Sequence, residues 1–443
     1  MSGTTAEIVI CGAGAAGVAA AWHLAVRRNV RGVVLVDERE PLSFTSDKGT
    51  EAFRNWWPGP GDAMVALMNR SIDLLEEIAR ETGNAFRLER RGYAFLTANP
   101  ARIGEWREAA RGTCARGAGA LRESTAGASA EAEDGADLVV GREAVARAFP
   151  FVAGDAIAYL HARRCGWLDA WRMYSWMLKR VQEQGVVLVR DRVVGATYAR
   201  GGRLDGVRLA SGSRIAARSL VLAAGPLLPG TARAVGAELP VLNELHLKVA
   251  FDDVDGAIPR DVPMLIWTDA VRLEWTAEER RRLSHRPELL EELPGGVHLR
   301  PREDAGRRTV LGIWTWDTRP REVVWPPEID PEYGEAVVRG LGRMIPGLRR
   351  YFGRAGGAGF VDGGYYCKTR ENRPLIGPVG DAGLWVLGAL SGFGIMASPA
   401  AGELLAAHVL GLPLPPWAAA FRPDRYEDPA YLEAFRDPTG GQL

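Results

Sequence analysis

The chain has 443 residues, 47% hydrophobic and 25% charged, which suits a globular protein of one large or two intertwined domains. Lys+Arg and Asp+Glu stand at 55 each, so no charge excess points to nucleic acid or an anionic membrane as partner. Four scattered cysteines (Cys11, Cys114, Cys165, Cys367) lack zinc-site or disulfide-framework spacing and imply a reducing, cytoplasmic setting.

The segment "EIVICGAGAAGVAAAWHLAVRRNVRGVVLVDERE" reads as strand, glycine turn, helix and strand. The uncharged run at 8–26 is rich in glycine and alanine and lacks a basic flank, which argues against a signal anchor and for a soluble chain. After the strand Ile8–Cys11, Gly12, Gly14 and Gly17 fit G-x-G-x-x-G, with Ala16 inside the motif. Gly12 permits the turn, Gly14 admits a pyrophosphate, and Gly17 lets the helix lie close to the strand. The helix N-terminus offers unpaired N–H groups to phosphate. The second strand, Val33–Val36, ends at Asp37, an acid placed to accept hydrogen bonds from ribose hydroxyls and unsuited to a 2′-phosphate. Glu38 and Arg39 follow; Arg39 fits either stacking on adenine or a solvated charge. The motif alone is compatible with a plain packing turn, but the ordered set of strand, turn, helix, strand and acid points to a dinucleotide.

Next comes "TSDKGTEAFRNWWPGPG" (45–61), too charged and too aromatic for an ordinary loop. Residues 112–137 are rich in Ala, Gly, Ser and Glu with few apolar anchors and predict a mobile surface insert. The segments "GYAFLTA", "HLKVAF" and "TVLGIWTW" alternate as strands do, and 276–293 reads as an arginine-rich helix. The apolar strand Leu220–Leu222 ends in Ala223, Ala224 and Gly225, small enough for a nucleotide to approach. No second G-x-G-x-x-G follows a strand, so no separate nicotinamide domain is expected. The strand Leu384–Gly388, the glycine turn Ser391–Gly394 and a long Ala/Leu helix complete the chain, and that helix N-terminus suits the anionic edge of a reduced flavin. The tail after Asp437 is expected to fray. These features favour FAD over NAD.

The ordered set resembles the FAD-dependent glycine oxidase, sarcosine oxidase and D-amino acid oxidase family. The resemblance runs from the fingerprint through "FPFVAGDAIAYLHARRCGWLDAWRMYSWMLKRVQEQGVVL", "SLVLAAG" and "GVHLRPRE" to "RENRPLIGP" and "LWVLGALSGFGIMASPAAGELL". It implies an α/β fold, a Rossmann-like FAD-binding domain with a second, α+β antiparallel-sheet substrate domain. The implied segments are 1–83, 150–235 and 360–425 for the first, and 84–149 and 236–359 for the second. It further implies that Gly166–Asp169 opens a helix returning to the nucleotide domain and that the Val194 backbone meets adenine. FAD contacts are implied at Ser46, Lys48, Ala224, Gly225, Gly392, Gly394, Ile395 and Met396. The implied reaction is oxidation of a C–N bond in a small amine or amino acid, with oxygen or another electron acceptor.

At several positions the chain departs from that family. Tyr366 stands where glycine and D-amino acid oxidases place a carboxylate-binding arginine, and Met396 where sarcosine oxidases place a lysine. Val310 and Trp314 replace an oxygen-activating lysine and a histidine, and Cys367 lies three residues past the flavin-linked cysteine, so FAD is expected to be non-covalent. Lysine is rare here, four residues among 55 basic ones, and Lys48, Lys248 and Lys368 fall in site-forming segments. Each is a candidate for amine chemistry or oxygen activation, or else pairs with an acid such as Asp47 or Glu371. Arg54 is the remaining candidate carboxylate clamp, or a partner of Glu51. Trp267, Trp275, Trp314, Trp316 and Trp325 suit either a cationic-amine pocket or the core. The expected activity is therefore an FAD-dependent amine or amino-acid oxidoreductase with an altered pocket. The alternatives are a dehydrogenase using a quinone or carrier protein, and a flavin-binding subunit that needs a partner chain.

Overall fold

The computed structural model describes residues 5–57, 59–129, 131–304, 306–354 and 359–436. A six-stranded sheet runs in the order Leu375–Pro378, Leu384–Gly388, Ser219–Leu222, Ile8–Cys11, Val33–Val36, Val187–Val189. All its pairings are parallel except the first, which is antiparallel. The strands IVIC and VVLV are buried along their whole length, as a parallel sheet covered on both faces requires. The helices Ala15–Ala21, Ala63–Glu81 and Gly394–Val409 share one core with this sheet. Helix Gly394–Val409 approaches the first helix so closely that a Cβ on Gly402 would stand 2.8 Å from the Ala19 carbonyl carbon.

A nine-stranded, mostly antiparallel sheet forms the second layer. Its order is Phe360–Lys368, Leu242–Asp252, Arg307–Ile313, Val297–Asp304, Met264–Trp267, Tyr93–Thr97, Ala158–Ala162, Ala136–Val140, Leu121–Ser124. The helix Tyr333–Met344 packs on it through Ala336, Val337, Val338 and Leu341, all fully buried. Three of its strands answer to "GYAFLTA", "HLKVAF" and "TVLGIWTW". The sheet also takes Ala158–Ala162 and Phe360–Lys368, which segment bounds at 150 and 360 assign to the other domain; cross-strand registry, which composition does not encode, places them here.

Two local readings differ from the structure. The helix expected over 276–293 stops at Arg282, and 3₁₀ turns at Leu283–His285 and Pro287–Leu289 follow, because Pro287 has no N–H to continue the ladder. Within 112–137, Leu121–Ser124 and Ala136–Val140 form a parallel pair at the sheet edge, where Asp137 is clamped by Arg122 at 2.7 Å and Arg163 at 2.5 Å. The tail from Asp437 lies outside the described residues. Among the described residues no helix is long and apolar enough to cross a membrane.

Candidate active site

A cavity of about 770 Å³ opens where the carboxyl ends of the parallel strands meet the edge strands of the second sheet. At one end lies the glycine turn. Gly12 has φ +111°, and a Cβ there would sit 2.3 Å from the Ala223 carbonyl oxygen, so no other residue fits. Gly17 faces away from the cavity and packs on the turn itself, its ideal Cβ 1.9 Å from the Gly12 oxygen. The Asp37 carboxylate accepts from the Ala13 N–H at 2.7 Å and the Arg39 N–H at 2.9 Å, so it braces the turn as well as facing the cavity. Ser46 Oγ accepts from the Ala15 N–H at 3.0 Å, which leaves its own proton to donate. The Arg39 guanidinium lies 4.9 Å from the Phe44 ring and 5.7 Å from that of Trp325.

The other end is built from the turn Ser391–Phe393, the N-terminus of helix Gly394–Val409, and Tyr365, Tyr366 and Cys367. The buried Trp57 meets the Phe393 ring edge-on at 4.8 Å, so this tryptophan braces the turn from behind. The segment Thr45–Gly49 forms the wall between the ends: Thr45 Oγ1 donates to the Tyr365 carbonyl at 3.1 Å. Of the cofactor residues nominated from sequence, Gly12, Gly14, Ala16, Asp37, Glu38, Arg39, Ser46, Val194, Ala224, Gly225, Gly392, Gly394 and Ile395 line the cavity. Gly17, Lys48 and Met396 do not. Met396 is buried, and its carbonyl accepts from Ser71 Oγ at 2.5 Å.

The four nominated cations, Lys48, Lys248, Lys368 and Arg54, are absent from the cavity lining. Lys48 pairs with Asp362 at 2.9 Å and Asp47 at 3.2 Å; burial pulls its pKa down, but the Asp362 pair outweighs this and raises it above the ordinary lysine value. Lys248 donates to the carbonyls of Asp47 and Gly49 at 3.0 and 3.3 Å, and burial lowers its pKa. Lys368 pairs with Glu244 at 3.1 Å. Arg54 is buried 4.4 Å from the Trp57 ring, and Glu51 pairs with Arg300 at 3.0 Å instead. The substrate-domain tryptophans are also absent from the lining. Trp275 and Trp267 stack against the protein's own Arg339 and Arg343, Trp316 on Tyr333, and Trp325 on Phe44, while Val310 and Trp314 are core.

Sequence reasoning missed a polar face shared by the paired strands Leu242–Asp252 and Phe360–Lys368. Glu244 lies opposite Tyr366, and Lys248 opposite Asp362. The buried His246 ring stacks on Tyr366 with centroids 4.1 Å apart at 16°, and bonds Glu244 through Nε2 and Thr315 Oγ1 through Nδ1, each at 3.1 Å. Burial lowers the His246 pKa. It would raise that of Glu244, but the His246 hydrogen bond and the Lys368 charge hold the carboxyl below its usual range. The Tyr366 phenol and Cys367 thiol are each pushed up to about 12 by burial and stay protonated. The signal was present in "NELHLKVAF", where ionisable residues recur at every second position of an otherwise apolar strand.

A family model described as FAD dependent oxidoreductase, DAO, matches residues 7–408. The fold is similar to that of L-proline dehydrogenase from P. horikoshii, with TM-score 0.74 and 19% identity over 96% of this chain and 98% of that one. It is also similar to glycine oxidase from Geobacillus kaustophilus, with TM-score 0.72 and 15% identity over 95% and 98% of the two chains. A stretch of 115 residues is 32% identical to part of the tRNA 5-methylaminomethyl-2-thiouridine biosynthesis bifunctional protein MnmC of Paracidovorax citrulli (strain AAC00-1). That match covers 24% of this chain and 18% of MnmC.

Proposed function

The chain belongs to the DAO family of FAD-dependent oxidoreductases, and from that premise we propose that it oxidises the C–N bond of a small amine or amino acid to an imine. The observation that carries this reading is the cavity of about 770 Å³ that joins a complete dinucleotide turn to a protonated, aromatic wall at Tyr366. The named activities of the similar structures, proline dehydrogenation and glycine oxidation, support it by analogy. FAD, when bound, supplies the hydride acceptor.

The chain's own residues then have separable tasks. The Gly12–Gly17 turn and Ser46 would hold the diphosphate, Asp37 would hold the ribose, and the Val194 backbone would flank the adenine. The N-terminus of helix Gly394–Val409, which lines the cavity, would offer its positive dipole end to a ring system that gains negative charge on reduction. We assign this cofactor-holding part to segments 1–83, 150–235 and 360–425 apart from the strands Ala158–Ala162 and Phe360–Lys368, which belong to the second sheet, the latter contributing the substrate wall. Cys367, held as a thiol, is a poor nucleophile, which supports non-covalent FAD. The electron acceptor is oxygen or a carrier, and air reoxidation distinguishes them.

The test is direct. The purified yellow protein is mixed anaerobically with primary amines, N-methyl amino acids and D- and L-amino acids, and flavin absorbance is followed. Bleaching by at least one amine, and release of intact FAD on acid precipitation, are expected. A protein reduced by hydroxy acids but by no amine would refute the assignment.

A further inference from the structure

This inference rests on the amine-oxidising reading and names the substrate class it favours. Tyr366 lines the cavity, and its hydroxyl bonds no described residue. The position of that hydroxyl is nevertheless fixed. Its ring lies flat on His246, and both His246 nitrogens are held, Nε2 by Glu244 and Nδ1 by Thr315. Since Glu244 only accepts when ionised, Nε2–H donates to it and Nδ1 accepts from the Thr315 hydroxyl. Lys368 offsets the Glu244 charge at 3.1 Å, so the layer behind the phenol is neutral overall.

The nearby cations are committed. Lys48 is paired with Asp362, Lys368 with Glu244, and Lys248 sits on two loop carbonyls. Among the described lining residues the lysines and arginines are Arg39 and Arg192, both at the Asp37–Glu38 end, where Arg192 pairs with Glu38 at 3.2 Å. A carboxylate brought to the Tyr366 wall would lose water and find neutral donors there, the Tyr366 phenol and the Ser391 hydroxyl, with no lysine or arginine among the described residues lining that end. That is a costly place for an anion. An uncharged oxygen acceptor meets no such penalty and satisfies the phenol.

We propose that Tyr366 is the substrate-orienting donor, that His246 and Glu244 position it, and that the substrate carries an uncharged acceptor where an amino acid carries its carboxylate. The acceptor class is an amide, ester or hydroxyl oxygen on the carbon beside the amine.

The experiment uses the FAD-loaded protein and matched pairs, sarcosine with sarcosinamide and proline with prolinamide, in anaerobic rapid mixing. The amide member should reduce the flavin with a kred/Kd at least about tenfold above its acid. Tyr366→Phe should lower the amide value by about tenfold, the scale of one neutral hydrogen bond, with the FAD dissociation constant unchanged. Glu244→Gln removes the carboxylate charge behind the phenol, so it should move the acid-to-amide ratio toward the acid, a change that loss of packing alone does not produce. Equal or better reduction by the acids overturns the inference alone, as does a Tyr366→Phe protein with full amide activity. A Tyr366→Phe protein that loses FAD also overturns it, by placing the phenol against the cofactor. Failure of every amine to bleach the flavin overturns the reaction reading and this inference together.

Discussion

Two of the four lysines act at the residue scale as fasteners between the two layers, and a third works within the second sheet. Lys48 and Lys248 tie the Thr45–Gly49 segment to the second sheet, and Lys368 ties its own strand to Glu244. Their rarity drew attention to the right segments, but their neighbours decided what each one touches. Lys248 is the most consequential, because its ammonium satisfies two carbonyls of a segment that also positions Ser46 against the first helix. Lys248→Met should therefore cost about 1–3 kcal/mol, the usual penalty for buried carbonyls left without donors. The same change should weaken FAD retention, read by thermal unfolding and by fluorescence of released flavin. Lys179→Met, on an exposed helix position, should change neither.

The decisive contact among the elements is helix against helix. The Ala-rich face of Gly394–Val409 lies on the Ala-rich face of Ala15–Ala21 because small residues let two backbones approach. Gly402 is the closest point, and its contact is with Ala19 backbone, which cannot swing aside. Gly402→Ala is expected to destabilise by about 1–3 kcal/mol through overpacking, lowering the melting temperature and the FAD affinity together. Gly104→Ala, in helix Pro100–Thr113 with open space around it, should be neutral or stabilising by about 0.5–1 kcal/mol. The apolar runs and glycine turns made these helices legible. The helix expected over 276–293 was over-read because arginine has good helix propensity and one proline outweighs it.

For the whole molecule, buried histidines set the response to acid. His23, His161 and His298 are each lowered by burial from 6.5 to about 4. The unfolded chain takes up a proton on each as pH falls through 6.5, and the folded chain does so only near 4. Their stabilising contribution is therefore present above 6.5 and lost as pH falls toward 4, by about 1.4 kcal/mol per pH unit per histidine. Thermal unfolding should be steady above about pH 7 and fall steeply between about pH 6 and 4.5, and a flat profile there would contradict the burial.

The sequence by itself determined the dinucleotide turn, Asp37, the parallel strands and the closing helix, because steric demands at a phosphate turn leave glycine and a terminal acid little freedom. Those residues lie within short segments, and local geometry is enough to read them. Only the tertiary structure decided which cations stand at the cavity and which strand residues line it. Glu244 and Lys368 are 124 residues apart and meet through strand pairing, and His246 finds Tyr366 the same way. Local propensity carries no record of that registry; it is fixed by which apolar faces must be buried when the two sheets close on each other.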